Sequence, residues 1–147
     1  MKKFISLLLV LMMAFIYTVP AMAAINPPAD PQDSDYFSSY GTVISDYGGH
    51  VMHITFSTVG VGLCSELGVT NYWVQKLMTD SDGNQYWVDV TSVLTGSIGY
   101  NVNAHTFGIN FQGIGGETYR VRCTFSCVKY GVGSEYKNYT SGRKTIN

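Results

Sequence analysis

The stretch from Thr118 to Lys129 reads Thr-Tyr-Arg-Val-Arg-Cys-Thr-Phe-Ser-Cys-Val-Lys, and it alternates without a break. Tyr119, Val121, Cys123, Phe125 and Cys127 fall on one side; Arg120, Arg122, Thr124 and Ser126 fall on the other. A period of two is that of a β-strand with one face on a core and the other in water. Two of the three cysteines therefore sit on the inward face, and two arginines sit on the outward one. A chain built around such a strand needs a core against its inner face.

The N-terminus sets the compartment. Lys2 and Lys3 precede an apolar run from Phe4 to Val19, followed by Pro20 and the small-x-small triplet Ala21-Met22-Ala23. The run is shorter than the roughly 20 residues of a spanning helix, and the pattern is that of a secretory signal cleaved after Ala23. The short signal is of bacterial type. Residues 24–34 hold Pro27, Pro28 and Pro31 and read as a flexible linker. Residues 35–147 then form a single domain. The Arg143–Asn147 tail has no apolar stretch, so the expected location is extracellular, with no membrane span after cleavage. Nine basic and ten acidic residues leave a net charge of −1, and Lys2 and Lys3 depart with the signal. No basic footprint for nucleic acid remains.

Seven short strands are expected along the domain. They cover Asp35–Ser45, His50–Thr58, Tyr72–Met78, Tyr86–Val90, Ala104–Phe111, Thr118–Lys129 and Glu135–Ser141. Val59–Glu66 reads as a glycine-containing loop carrying Cys64, and Thr91–Tyr100 as a loose glycine-rich connection. Residues 80–84, Asp-Ser-Asp-Gly-Asn, read as a hairpin turn, because Asp-Gly supplies the positive φ that such turns require. The fold class is all-β, a two-sheet antiparallel sandwich of about seven strands.

Tyr119-Arg-Val-Arg after Gly115-Gly116 resembles the sixth strand of fibronectin type III and immunoglobulin-like domains, with Tyr119 in the place of their corner tyrosine. Cys123 follows that tyrosine by four residues, not the two of antibody domains, so only the architecture is implied. Ser34-Asp35-Tyr36-Phe37, Leu67-Gly68-Val69, Tyr72-Trp-Val-Gln-Lys76 and Gly133-Ser134-Glu135 leading to Tyr139-Thr140-Ser141-Gly142 resemble a family of small secreted bacterial proteins of unknown function. That resemblance implies no activity.

Export permits a disulfide. Cys123 and Cys127, four residues apart on one strand, lie about 13 Å from each other, beyond the reach of about 7 Å for a bridge. In a sandwich, the connection after the second strand lies at the same end as the end of the sixth. The expected pair is therefore Cys64–Cys127, with Cys123 a buried thiol. A Cys64–Cys123 bridge and three reduced cysteines packed as small apolar groups are the alternatives.

Catalytic and metal chemistry find little support. The loop at residues 80–84 resembles the start of a calcium loop, but the twelfth position is Thr91 where a glutamate is needed. His53 and His105 fall on strands that neighbour each other in such folds and could share a face to bind a metal with a carboxylate, but no metal-binding spacing supports this, and they read as polar strand residues facing water. No Gly-x-Ser-x-Gly elbow is present. No cofactor, metal site or catalytic residue is expected.

The candidate site is aromatic. A hairpin register pairing Leu77 with Trp87 and Val74 with Val90 turns Val74, Met78, Tyr86 and Val90 inward. Trp73, Gln75, Leu77, Trp87 and Asp89 then face outward beside Arg120 and Arg122. Trp73, Gln75, Trp87, Asp89, Arg120 and Arg122 make a platform for a sugar or peptide. The competing reading puts one tryptophan in the core and covers the other with arginine stems. The function expected is non-enzymatic binding of an extracellular glycan, cell-wall polymer or surface protein. A secreted effector or antibacterial protein is the first alternative and a small secreted hydrolase the second.

Overall fold

The computed structural model describes residues 34–147. The signal segment at residues 1–23 and all of the linker before Ser34 lie outside the described residues. Eight β-strands follow one another: β1 (Phe37–Asp46), β2 (Val51–Thr79), β3 (Gln85–Asp89), β4 (Leu94–Thr95), β5 (Ile98–Gln112), β6 (Thr118–Lys129), β7 (Gly133–Thr140) and β8 (Lys144–Thr145). The domain is all-β, with every pairing antiparallel, and forms one curled sheet.

β2 is the spine. Its first half pairs with β1 on one edge, through Ile44 opposite Ile54, and with β5 on the other, through Ile109 opposite the same residue. Its second half pairs with β6 on one edge, with Val121 opposite Val74, and with β3 and β4 on the other. β7 extends the sheet beyond β6. The expected loop over Val59–Glu66 and the expected third strand are thus parts of β2. The glycines there bend the strand and do not end it. The register shifts between Val59 and Cys64 while hydrogen bonding to β5 resumes at Cys64 opposite Val102. Gly62 has φ +78°, a conformation that costs a side chain but not glycine. Likewise, the loose connection over Thr91–Tyr100 contains β4 and the start of β5. A Cβ at Gly96 would lie 2.1 Å from the carbonyl oxygen of Val69, so only glycine lets these backbones approach.

Because β2 bends, its two halves face each other. The inward residues Met52, Ile54 and Phe56 of the first half are fully buried, as are Val69 and Val74 of the second and Val121, Phe125 and Cys127 of β6. Contacts across the gap bind the halves: Phe56 lies 5.2 Å from Tyr72, Tyr40 lies 5.3 Å from Phe125, and Phe111 meets Tyr119 edge-on at 5.5 Å. The alternation over Thr118–Lys129 buries all five inward residues as expected, but Ser126, expected in water, is buried too, between Gly68 of β2 and Tyr136 of β7. Tyr119 also accepts a hydrogen bond at its hydroxyl from the backbone N–H of Ile114, at 3.0 Å, tying the turn before β6 to the strand. Ser34 closes the start of the domain: its Oγ accepts from the N–H groups of Tyr36 and Phe37 and donates to Glu135 at 2.5 Å.

Candidate functional site

The hairpin joining β2 to β3 is built from its turn. Asp80 Oδ1 accepts from the N–H groups of Asp82 and Asn84, at 3.0 and 2.8 Å, and Gly83 takes φ +86°. These bonds, that from Asn84 first, hold the Asp80 carboxyl below its ordinary value. Its oxygens are occupied in stapling a turn. The resulting register pairs Leu77 with Trp87 and Gln75 with Asp89, and the Val90 N–H donates to the Val74 carbonyl. This is the register expected from the sequence. On the opposite edge of β2, Trp73 pairs with Arg122 and Gln75 with Arg120.

All six expected residues therefore share the outward face of β2, β3 and β6. The arginine Nε of Arg120 donates to Gln75 Oε1 at 2.7 Å, and Gln75 Nε2 donates to Asp89 Oδ1 at 2.6 Å. The Arg120 guanidinium lies over the Trp87 ring, 4.2 Å from its centroid, and that of Arg122 over Trp73 at 5.0 Å. Burial first, and then the neighbouring charge of Arg122, lower the Arg120 value. Gln75 is almost wholly covered, while Trp73 and Trp87 are half-buried. Neither tryptophan is core, and an arginine covers each. Asn71, on the same face in register with Thr124, buries its Oδ1 without a hydrogen-bond partner among the described residues.

The inward side of β3 differs from expectation. Tyr86 is 47% exposed and Val90 40%, and Met78 is half-buried. The opposing half of the sheet carries only β1, β2 and β5, so nothing packs beneath the projecting hairpin tip. The outward face of that opposing half has another chemistry. Between Val51 and Ser65, and throughout β5, no side chain is charged, and residues such as Thr55, Ser57 and Thr106 line it.

Cys64 and Cys127 come together as expected, but the expected bridge between them is not formed. Cys64 and Cys127 are both buried, with sulfurs 2.8 Å apart, and all three cysteines are free thiols. Cys123 packs 3.7 Å from the Thr42 hydroxyl, and burial pushes its thiol up to about 12. The histidines do not meet. His53 stacks flat on Tyr47, 4.9 Å between centroids, with Nδ1 2.8 Å from Asn110 Oδ1. His105 pairs across from buried Thr58 and lies 3.0 Å through Nε2 from Ser97 Oγ. The two rings face opposite sides of the sheet. Among the described residues no carboxylate orients His105, so the Ser97–His105 contact lacks the third member that activates a nucleophile. No grouping of three or more His, Cys, Asp or Glu residues able to hold a metal occurs among the described residues.

Sequence reasoning found the six residues of the face but missed how they engage one another. Arg122 covers Trp73 directly across the β2–β6 pair, whereas Arg120 reaches Trp87 diagonally across β2, a contact that pairwise strand register alone does not announce. Compared with protein-family models, curated proteins and solved structures, the chain matches none.

Proposed function

We propose that this protein is exported and acts as a non-enzymatic binding module, taking an extracellular glycan or cell-wall polymer on the outward face of β2, β3 and β6. The observation that carries this reading is the convergence of Trp73, Gln75, Trp87, Asp89, Arg120 and Arg122 on one side of the sheet. There, hydrogen bonds of 2.6 and 2.7 Å hold the polar groups in place before any ligand arrives. Half-exposed aromatic rings beside fixed donors are the usual composition of a ligand platform, and preorganisation lowers the entropy lost on binding. A surface protein is the other class of partner that the same face suits.

The architecture belongs to the same proposal, a sandwich of the immunoglobulin and fibronectin type III class. The neighbour order β1–β2–β5 in one half and β2–β6–β7 in the other supports it, since that class places its strands in the orders ABE and CFG. The Tyr119 hydroxyl, bonded to the backbone five residues upstream, supports it too. β2 would then serve as both the B and the C strand.

The test is co-sedimentation with insoluble polysaccharides, peptidoglycan and mucin, comparing the protein with a Trp73→Ala/Trp87→Ala double variant. Retention on one polymer, competed by its soluble fragments and lost in the variant, is expected. The variant should stay folded, since neither ring belongs to the buried core. Retention undiminished in a folded variant, or a variant that cannot fold, would remove the platform.

A further inference from the structure

We infer that the ligand of this face carries an anionic group, a carboxylate or a phosphate, and that Arg122 is the residue that seats it; this rests on the binding reading above. The two arginines of the face are not equivalent. Arg120 is committed within the protein, donating to Gln75, which passes the contact on to Asp89. Its charge is thereby partly answered by a carboxylate. Arg122 is exposed and touches the Trp73 ring, and no carboxylate pairs with it among the described residues. Both ion pairs among those residues use lysines, Lys76 with Glu117 and Lys137 with Glu135. The cross-strand neighbours of Arg122 are Trp73 and Thr140, and the next row holds Thr124 and Asn138, bonded to each other at 3.0 Å. All four are uncharged.

The stack makes that cation a prepared one. A guanidinium lying on an aromatic ring keeps its in-plane N–H donors free, and its fork matches two oxygens of a carboxylate or phosphate. The Trp73 ring holds the Arg122 guanidinium at 5.0 Å from its centroid and takes none of its donors. A second consideration points the same way. A neutral sugar stacks on an open aromatic face, but one face of each tryptophan already carries a guanidinium. The group presented to a ligand is then the cation on the ring. Arg120 and Arg122 also stand two residues apart with like charges, and an anion bridging outward from Arg122 relieves that repulsion.

The chain's two tryptophans are both on this face, so intrinsic fluorescence reports on the site directly. The protein is titrated with polygalacturonate, with its full methyl ester, and with polyphosphate; the ester keeps the backbone and removes the charge. One of the two anionic polymers should bind at least about tenfold more tightly than the ester, and which one does so distinguishes carboxylate from phosphate. Arg122→Gln should bring that affinity down to the ester's level. Arg122→Lys, which keeps the charge but not the fork, should lie between. Equal binding of acid and ester, lost in the Trp73→Ala/Trp87→Ala variant, would overturn the anionic ligand and leave the platform standing. Tight acid binding that survives in folded Arg122→Gln would overturn the seat. Failure of all three probes and of the neutral polymers to bind would overturn the platform, and this inference with it.

Discussion

Oxidation should join Cys64 to Cys127 and stabilise the fold by about 4 kcal/mol. The two sulfurs stand 2.8 Å apart, and the residues are 63 positions apart in the chain. A disulfide needs about 2.05 Å between sulfurs, so closure asks for a movement below an ångström. Both thiols are fully buried where β2 bends against the end of β6, and the Cys127 sulfur also lies 3.6 Å from the carbonyl of Tyr36 in the bend that leads into β1, so the site is held by two strands and that bend. For a loop of this length the chain-entropy account gives roughly 4 kcal/mol. The assay is urea unfolding of the air-oxidised protein with and without dithiothreitol, paired with non-reducing peptide mapping. With a slope of about 2 kcal/mol/M, the oxidised midpoint should lie about 2 M higher. A Cys64–Cys123 link, or three free thiols after oxidation, would refute the placement. A mapped Cys64–Cys127 link with coincident midpoints would refute the energetics.

Three further outcomes follow from the same packing. Burial pushes the Cys123 thiol from 9.0 to about 12, and it also raises Tyr72 and Tyr139. The unfolded chain releases these protons first, so their stabilisation is complete below pH 9 and drains away as pH climbs from there toward 12. The urea midpoint should fall across that window, less steeply in Cys123→Ala. Tyr119→Phe removes the acceptor of the Ile114 N–H and should cost about 1 kcal/mol by urea unfolding; an unchanged midpoint would mean that water replaces the hydroxyl. A Cβ at Gly60 would stand 2.4 Å from the Cys64 sulfur. Gly60→Ala should therefore cost about 1–3 kcal/mol and lower the yield of the Cys64–Cys127 link in the peptide map, whereas wild-type stability and yield would show that the bend has room to spare.

Much of this molecule follows from local rules. Strict alternation over Thr118–Lys129 tells which side chains are core, because a strand turns every second side chain to the same face. The Asp-Gly turn sets the register that pairs Leu77 with Trp87, and one register assigns every outward residue of β2 and β3. From these two facts the six residues of the candidate face are legible in the sequence alone. The tertiary structure decided what a local rule cannot reach. Gly60 and Gly62 look like loop residues in the sequence, yet β5 supplies hydrogen-bond partners on either side of them, and the chain bends through as a single strand. Tyr86 and Val90 have the right parity for a core but lie beyond the edge of the opposing layer, so parity alone leaves them in water. The two arginines are alike in the sequence, two residues apart on one strand. Only the contacts across β2 and β3 bind Arg120 to Gln75 and leave Arg122 open, because which donor meets which acceptor depends on side chains brought together from three separate strands.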